Sequence, residues 1–309
     1  MSNPISQAKK LVLNYPYPEG LLDKIPAEGT YYDGSSSIYF GDDEKVTPKI
    51  LSKALSYYID IDEKETTEEK IPLGSSKMKG LPHLPNTDFW PTGTYFFAQL
   101  NLADFKKYDI ENLFPENGIF YIFDTVAGEF ILKFYEGPID KLKIVDYPNE
   151  DSLPEAEYYL EEYRDITYKL TFSPQFLFYV AGDAYDYRTI SKALPEDLYE
   201  KLGEILNAEL STWSSSLRIF GRPLFWQGED EVMSDEDFEE EDEDGNDEDE
   251  PTKNEESGSY DEVDSSLEEN SEILIFHSEI GEGHFHVRID RNDLKNKKFD
   301  KAYSTYSGT

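Results

Sequence analysis

Reactive chemistry in this chain rests on few side chains, because it contains no cysteine and only four histidines: His83, His277, His284 and His286. Three of these fall in "ILIFHSEIGEGHFHVRID" (273–290). On a strand, His284, His286 and Arg288 share one face and Phe285, Val287 and Ile289 share the other. Two imidazoles at i and i+2 can hold one metal ion, with Glu282 or His277 as a third ligand. Strand alternation alone explains all six residues, so the reading is a polar face over a buried apolar one. That face remains open to an anion or a partner, and no metal is assigned. The missing cysteines exclude disulfides, thiol catalysis and thiolate metal sites.

The remaining candidates are amides and cations. Gln99 and Asn101 lie in "YFFAQLNL" and Gln227 in "IFGRPLFWQG", all within apolar surroundings. A buried amide needs several hydrogen-bond partners, so it either fixes strand geometry or meets a ligand. Structural networks are the preferred expectation. Lys77 and Arg222 are cations close to aromatic residues, each a clamp on the core or a contact for an acidic ligand group. The clamp is preferred. "GSSKMKG" lacks phosphate-loop spacing, and Ser76 and Lys77 are adjacent rather than three apart. No nucleophile elbow, zinc helix or dinucleotide fingerprint is present, and a carboxylate pair cannot be chosen by spacing alone. No catalytic residue and no cofactor are therefore assigned.

These residues need elements to position them. In "GLPHLPNTDFWPTGTYFFAQL" each proline fixes φ and holds its predecessor extended, which describes a stiff, non-helical approach to a strand. Gly80 permits a turn or a close backbone approach, and Trp90 is the expected anchor pinning the segment to the sheet. Strands are expected at "YFFAQLNL", "GIFYIFD", "EFILKFYEG", "DITYKLTFS", "ILIFHSE" and "HFHVRID", and a hairpin at "TYYDGSSSIYFG". Helices are expected over about 5–13, in "TPKILSKALSYYID" behind a Thr47 cap, and in "PEDLYEKLGEILNAEL", where Leu198, Tyr199, Leu202, Ile205, Leu206 and Leu210 form one apolar stripe.

There is also an internal similarity. Gln99, Leu100, Asn101, Asp104, Phe105 and Lys106 align with Arg288, Ile289, Asp290, Asp293, Leu294 and Lys295, suggesting two related halves. The expected class is α+β: a curved, mostly antiparallel sheet built from two related halves, with peripheral helices.

Charge divides the chain. Of 309 residues and a net charge of −37, the stretch 229–272 holds 24 acidic residues and one lysine, Lys253. It has too few apolar residues to offset its ordering entropy and reads as an acidic disordered insertion. An EF-hand fails there: with Gly245 at the sixth position, the twelfth is Pro251, where a bidentate Glu is required. The organisation expected is an N-terminal helix and hairpin extension over 1–70, and an α+β domain from 71–228 and 273–309 that the insertion interrupts. The rest of the chain is also acidic, which disfavours nucleic-acid binding and suits a basic protein partner. No window approaches the ~20 apolar residues of a membrane span, and the N-terminal apolar stretch is too short for a signal-peptide core. No membrane association and a cytoplasmic location are expected. The oligomeric state is not legible.

The segment "SSKMKGLPHLP…FWP…YFFAQLNL…LFPENGIFYIF" resembles the central signature of the YwqG-like family, mostly bacterial proteins of unknown function. Ser76, Lys77, Gly80, Pro82, Leu84, Pro85, Trp90, Pro91, Ala98, Gln99, Asn101 and Leu102 carry the likeness. Gly221, Pro223 and Gln227 match a later step, and "ILIFHSEIGEGHFHVRIDRNDL" is similar to the family's closing strands and turn. The likeness runs from about residue 73 to the C-terminus, apart from the acidic stretch. Met78 and Lys79 depart from it where a second glycine is usual, as does Phe276 or His277 where a Gln is usual. The resemblance implies the α+β fold and, at class level, an accessory or immunity-type binding role; it implies no activity. Two readings stand: a non-enzymatic protein-binding module with an acidic loop for a basic partner, or a hydrolase or small-ligand site between the halves using Gln99, Gln227 and the His284/His286 strand.

Overall fold

A computed structural model describes residues 3–25, 29–32, 37–40, 46–178, 193–211, 216–221, 272–280 and 283–308. Arg222, Gln227, the first 43 positions of the acidic stretch (229–271) and Lys253 within it lie outside the described residues. The first helix, α1 (Pro4–Asn14), opens where Asn3 accepts the Ile5 N–H at 2.8 Å and Pro4 needs no N–H partner. β1 (Gly29–Tyr32) and β2 (Ser37–Phe40) form the expected hairpin.

α2 (Pro48–Ala54) begins at the Thr47 cap, where Oγ1 accepts the Ile50 N–H at 3.2 Å. Helical spacing in "TPKILSKALSYYID" is a guide only this far. From Leu55 the chain is a 12-residue strand, β3 (Leu55–Thr66). Tyr57, Ile59 and Ile61 enter the core while Tyr58 and Asp60 face away, a period of two that pairing along the whole strand selects over a helical reading. Residues 1–70, expected as an extension, thus supply a central strand of the main sheet.

That sheet has 11 strands. One flank is β4 (Lys77–Lys79), β6 (Tyr95–Asn101), β7 (Ile119–Asp124) and β8 (Phe130–Tyr135). β3 and β10 (Thr167–Phe178) form the middle, and β11 (Glu209–Leu210) runs parallel beside β10. The other flank is β12 (Leu217–Phe220), β13 (Glu272–Ile280), β14 (Gly283–Asp290) and β15 (Tyr303–Gly308). The order is β15-β14-β13-β12-β3-β10-β4-β6-β7-β8. Apart from β11, its neighbours are antiparallel.

The sheet nearly closes on itself. Phe130 at the β8 edge donates its N–H to Ser304 Oγ of β15 at 2.8 Å. β10 continues through Pro174 to Phe178, past the expected end at Ser173. Neither β4 nor β11 pairs with it at Pro174, so the absent N–H breaks no ladder on that side. A small second sheet joins β5 (His83–Leu84) to β9 (Lys143–Ile144).

Among the described residues four further helices flank the sheet: α3 (Leu102–Phe105), α4 (Ala156–Asp165), α5 (Glu196–Leu206) and α6 (Arg291–Lys295). α5 buries Leu198, Leu202 and Leu206 and stops at Asn207 in the left-handed region, so Leu210 of the expected stripe belongs to β11. The aligned halves have matching local structure. Asn101 and Asp290 each cap a short helix directly after a strand, Leu100 and Ile289 fill the core, and Phe105 and Leu294 are buried.

One apolar core spans both sides of the acidic stretch and contains Phe97 and Ile289. The Phe97 and Phe276 rings lie 5.8 Å apart, and Phe130 and Phe285 4.8 Å apart. A second cluster lies on the other face of β6 and β7, where Leu84, Trp90 and Leu142 cover Phe96, Tyr121 and Phe123.

Candidate functional site

Two buried polar clusters lie on the face of the main sheet opposite the large core, one in each flank, and a β-bulge aims each. In β6 the extra residue is Phe97; Phe97 and Ala98 both reach the core, so Gln99 turns away from it. In β13 the extra residue is Ile275; Ile275 and Phe276 both reach the core, and His277 turns away.

The first cluster forms where β4 pairs with β6 and Lys77 sits opposite Gln99. Lys77 is fully buried, pairs with the Glu68 carboxylate and donates to Leu81 O at 2.7 Å. Its Nζ is 5.8 Å from the Phe96 ring, the clamp geometry, now joined to an ion pair. His83 Nδ1 accepts the Gly74 N–H at 2.8 Å, which puts the ring hydrogen on Nε2, 3.2 Å from Glu68 Oε1. Gln99 Oε1 accepts the His83 N–H at 2.9 Å, and its Nε2 donates to Ser75 O at 2.7 Å. Asn101 donates through Nδ2 to Gly74 O at 2.7 Å and accepts the Ala103 N–H at 3.0 Å. Ser76 Oγ accepts the Asn101 N–H at 2.8 Å and donates to Asp104 Oδ2 at 2.6 Å.

Gly80 lets the chain turn tightly here. Its φ is +68°, and a Cβ at that point would stand 2.0 Å from Thr167 Oγ1. Burial would raise the Glu68 pKa, but hydrogen bonds from His83 and Lys77, the Lys77 charge and the Leu81 N–H outweigh it and hold it at about 2. Burial pulls Lys77 down to about 8 against the opposing pull of Glu68. Trp90 lies in the neighbouring apolar cluster, 4.8 Å from Tyr147 and 5.7 Å from Phe123, and its Nε1 donates to Thr94 O at 3.0 Å.

The second cluster spans β12, β13 and β14. Arg218 pairs in register with His277, and His277 with His286. The His277 ring is stacked 5.3 Å from His284 and tilted 5.0 Å from His286. Arg218, His277, His286 and Arg288 are all buried, and Arg288 Nη1 meets Glu272 Oε2 at 3.4 Å. Thr305 Oγ1 lies 3.3 Å from His286 Nδ1. Burial, then Arg218 and the other cations, push His277 well below its ordinary pKa. Burial also lowers His284, opposed by Glu279. Among the described residues no group of three or more His, Asp or Glu could hold a metal.

Of the residues chosen from the sequence, Lys77, Gln99 and Asn101 meet in the first cluster, Trp90 lies beside it, and His284, His286 and Arg288 meet in the second. Gln99 and the histidine strand lie in different flanks, with five strands between them along the sheet order and three across the near-closure of β8 on β15. Sequence reasoning passed over Glu68, His83, Arg218 and the central place of His277. Arg218 carried the one available signal, a lone cation inside the apolar run "LRIF".

An α+β, nearly closed antiparallel sheet with a buried polar cluster on each flank defines the class of protein. The profile of a family described as "Domain of unknown function (DUF1963)" matches residues 76–307, and the chain belongs to that family. The match includes Lys77, His83 and the whole second cluster but begins after Glu68 and β3. No curated protein matches the chain. No described helix is long and apolar enough to cross a membrane.

Proposed function

We propose that this protein is a YwqG-like, cytoplasmic, non-enzymatic binding module of accessory or immunity type, which engages a basic protein partner through its acidic stretch. The observation that carries the reading is how the first cluster spends its polar atoms. Lys77, Glu68, His83, Gln99 and Asn101 bond one another or the backbone, which suits a rigid scaffold better than a reaction centre. The charge concentrated in 229–272 then serves association: an acidic surface speeds encounter with a basic partner and makes the rate sensitive to salt. The separation of Gln99 from His284 and His286 counts against a hydrolase site shared by the halves.

The test is capture of partners from native cells, with full-length protein and a variant lacking 231–269, followed by association kinetics on the partner recovered. The deletion is expected to slow association about tenfold or more at low salt and to leave the thermal midpoint in place. An unfolded deletion variant, or an association rate independent of salt and of the stretch, would refute the reading.

A further inference from the structure

Both polar clusters bury histidine, His83 in the first and His277 and His286 in the second, and the fold treats His83 and His277 differently. His83 spends both ring nitrogens, on Gly74 and Glu68. His277 is equally buried, yet neither its Nδ1 nor its Nε2 has a hydrogen-bond partner. An unsatisfied buried polar atom costs ~1–3 kcal/mol, and a phenylalanine would fill such a place without that cost. The charged and titratable groups acting on His277 are Arg218, His284, His286 and Arg288, and all of them disfavour its protonation. Among the described residues, the carboxylates beside the cluster are Glu272 on Arg288, Glu279 opposite His284, and Asp60 opposite Arg218. The cluster thus sets an imidazole with unused nitrogens beside two guanidinium groups. The part-exposed His284 is its rim.

We propose that this face of β12, β13 and β14 is an oxyanion site, taking a carboxylate or phosphoryl group against His277 between Arg218 and Arg288. Guanidinium groups match both oxyanions bidentately. The anion supplies the hydrogen-bond acceptor and counter-charge that the protein itself does not direct to His277. Imidazole then donates from one nitrogen, and its proton affinity rises when the site fills. The inference goes beyond the partner-binding reading and does not use 229–271.

The experiment titrates full-length, 15N-labelled protein with sodium phosphate and, separately, sodium acetate, against sodium chloride at equal ionic strength. It follows the histidine side-chain signals and the thermal midpoint. A saturable movement of the His277 signals is expected, with a rise in midpoint that chloride does not reproduce. Phosphate alone acting assigns a phosphoryl ligand; acetate acting as well assigns a general oxyanion site that accepts carboxylates. His277→Phe is expected to raise the midpoint in anion-free buffer and to abolish the anion-dependent rise; Arg288→Gln is expected to weaken binding at least tenfold. Anion responses equal to chloride in the wild-type protein overturn the proposal, and this readout does not depend on either variant folding. Responses that persist unchanged in His277→Phe overturn it too. Failure here leaves the capture experiment unaffected.

Discussion

Glu68 lies outside the family match, yet it organises the first cluster by accepting from Lys77, His83 and the Leu81 N–H. Its pKa is held at about 2 in the folded protein against an ordinary 4.5. A lowered carboxyl contributes stability that is complete above pH 4.5 and is lost as pH falls through 2. Glu68→Gln should therefore cost about 3–4 kcal/mol at pH 7, from a lowering of 4.5 to about 2 at ~1.4 kcal/mol per unit. It should also flatten the loss between pH 4.5 and 2 in denaturant melts. Lys77 moves stability in the same direction with pH, in a higher window. Its folded pKa of about 8 lies below 10.5, so the folded state sheds the proton first and this group adds stability as pH climbs from 8 to 10.5. Removing only Glu68 strands a buried cation, whereas Glu68→Gln with Lys77→Met removes both charges. The double variant is expected to be more stable than the sum of the single losses predicts. Lys77 was conspicuous in the sequence as a cation among aromatics. Its partner was not, because Glu68 is one acid among many and meets Lys77 only once β4 is paired between β6 and β10.

At the scale of elements, the proline-rich approach is extended at His83–Leu84 but makes one 3-10 turn over Thr87–Phe89 before the Trp90 anchor, a departure from the non-helical expectation. Gly80→Ala should destabilise by ~2 kcal/mol or more, since it adds both a strained φ and a Cβ colliding with Thr167. The two strand-to-helix caps separate a shared motif from its local context. Asp290→Ala removes a cap at a half-buried site and should cost ~1 kcal/mol. Asn101→Ala should cost more, because Asn101 is buried and its Nδ2 also satisfies Gly74 O. Chemical denaturation of both variants tests the order. The strands "YFFAQLNL" and "HFHVRID" were legible because their apolar patterns are strong. β3 was not, because its first residues continue a true helix and only pairing with β10 decides where that helix stops.

For the whole molecule, the large core crosses the acidic stretch in sequence, so both flanks should unfold together. Phe97→Leu and Phe276→Leu are expected to couple by ~0.5–1.5 kcal/mol in a double-mutant cycle, given rings 5.8 Å apart. Independent, additive effects would mean that the flanks stabilise separately. The sequence by itself determined the class of fold, the main strands, the capped repeat and the segregation of charge, because each depends on periodicity or composition within a few residues. It could not assign the outward places of Gln99 and His277. Strict alternation puts Gln99 beside Phe97 and His277 beside Ile275, inside the core. One extra residue in each strand reverses that, and a bulge is decided by register against the neighbouring strand. The tertiary structure therefore decided which polar groups meet: pairing set two bulges, and the bulges moved Gln99 and His277 from the apolar interior to the polar face.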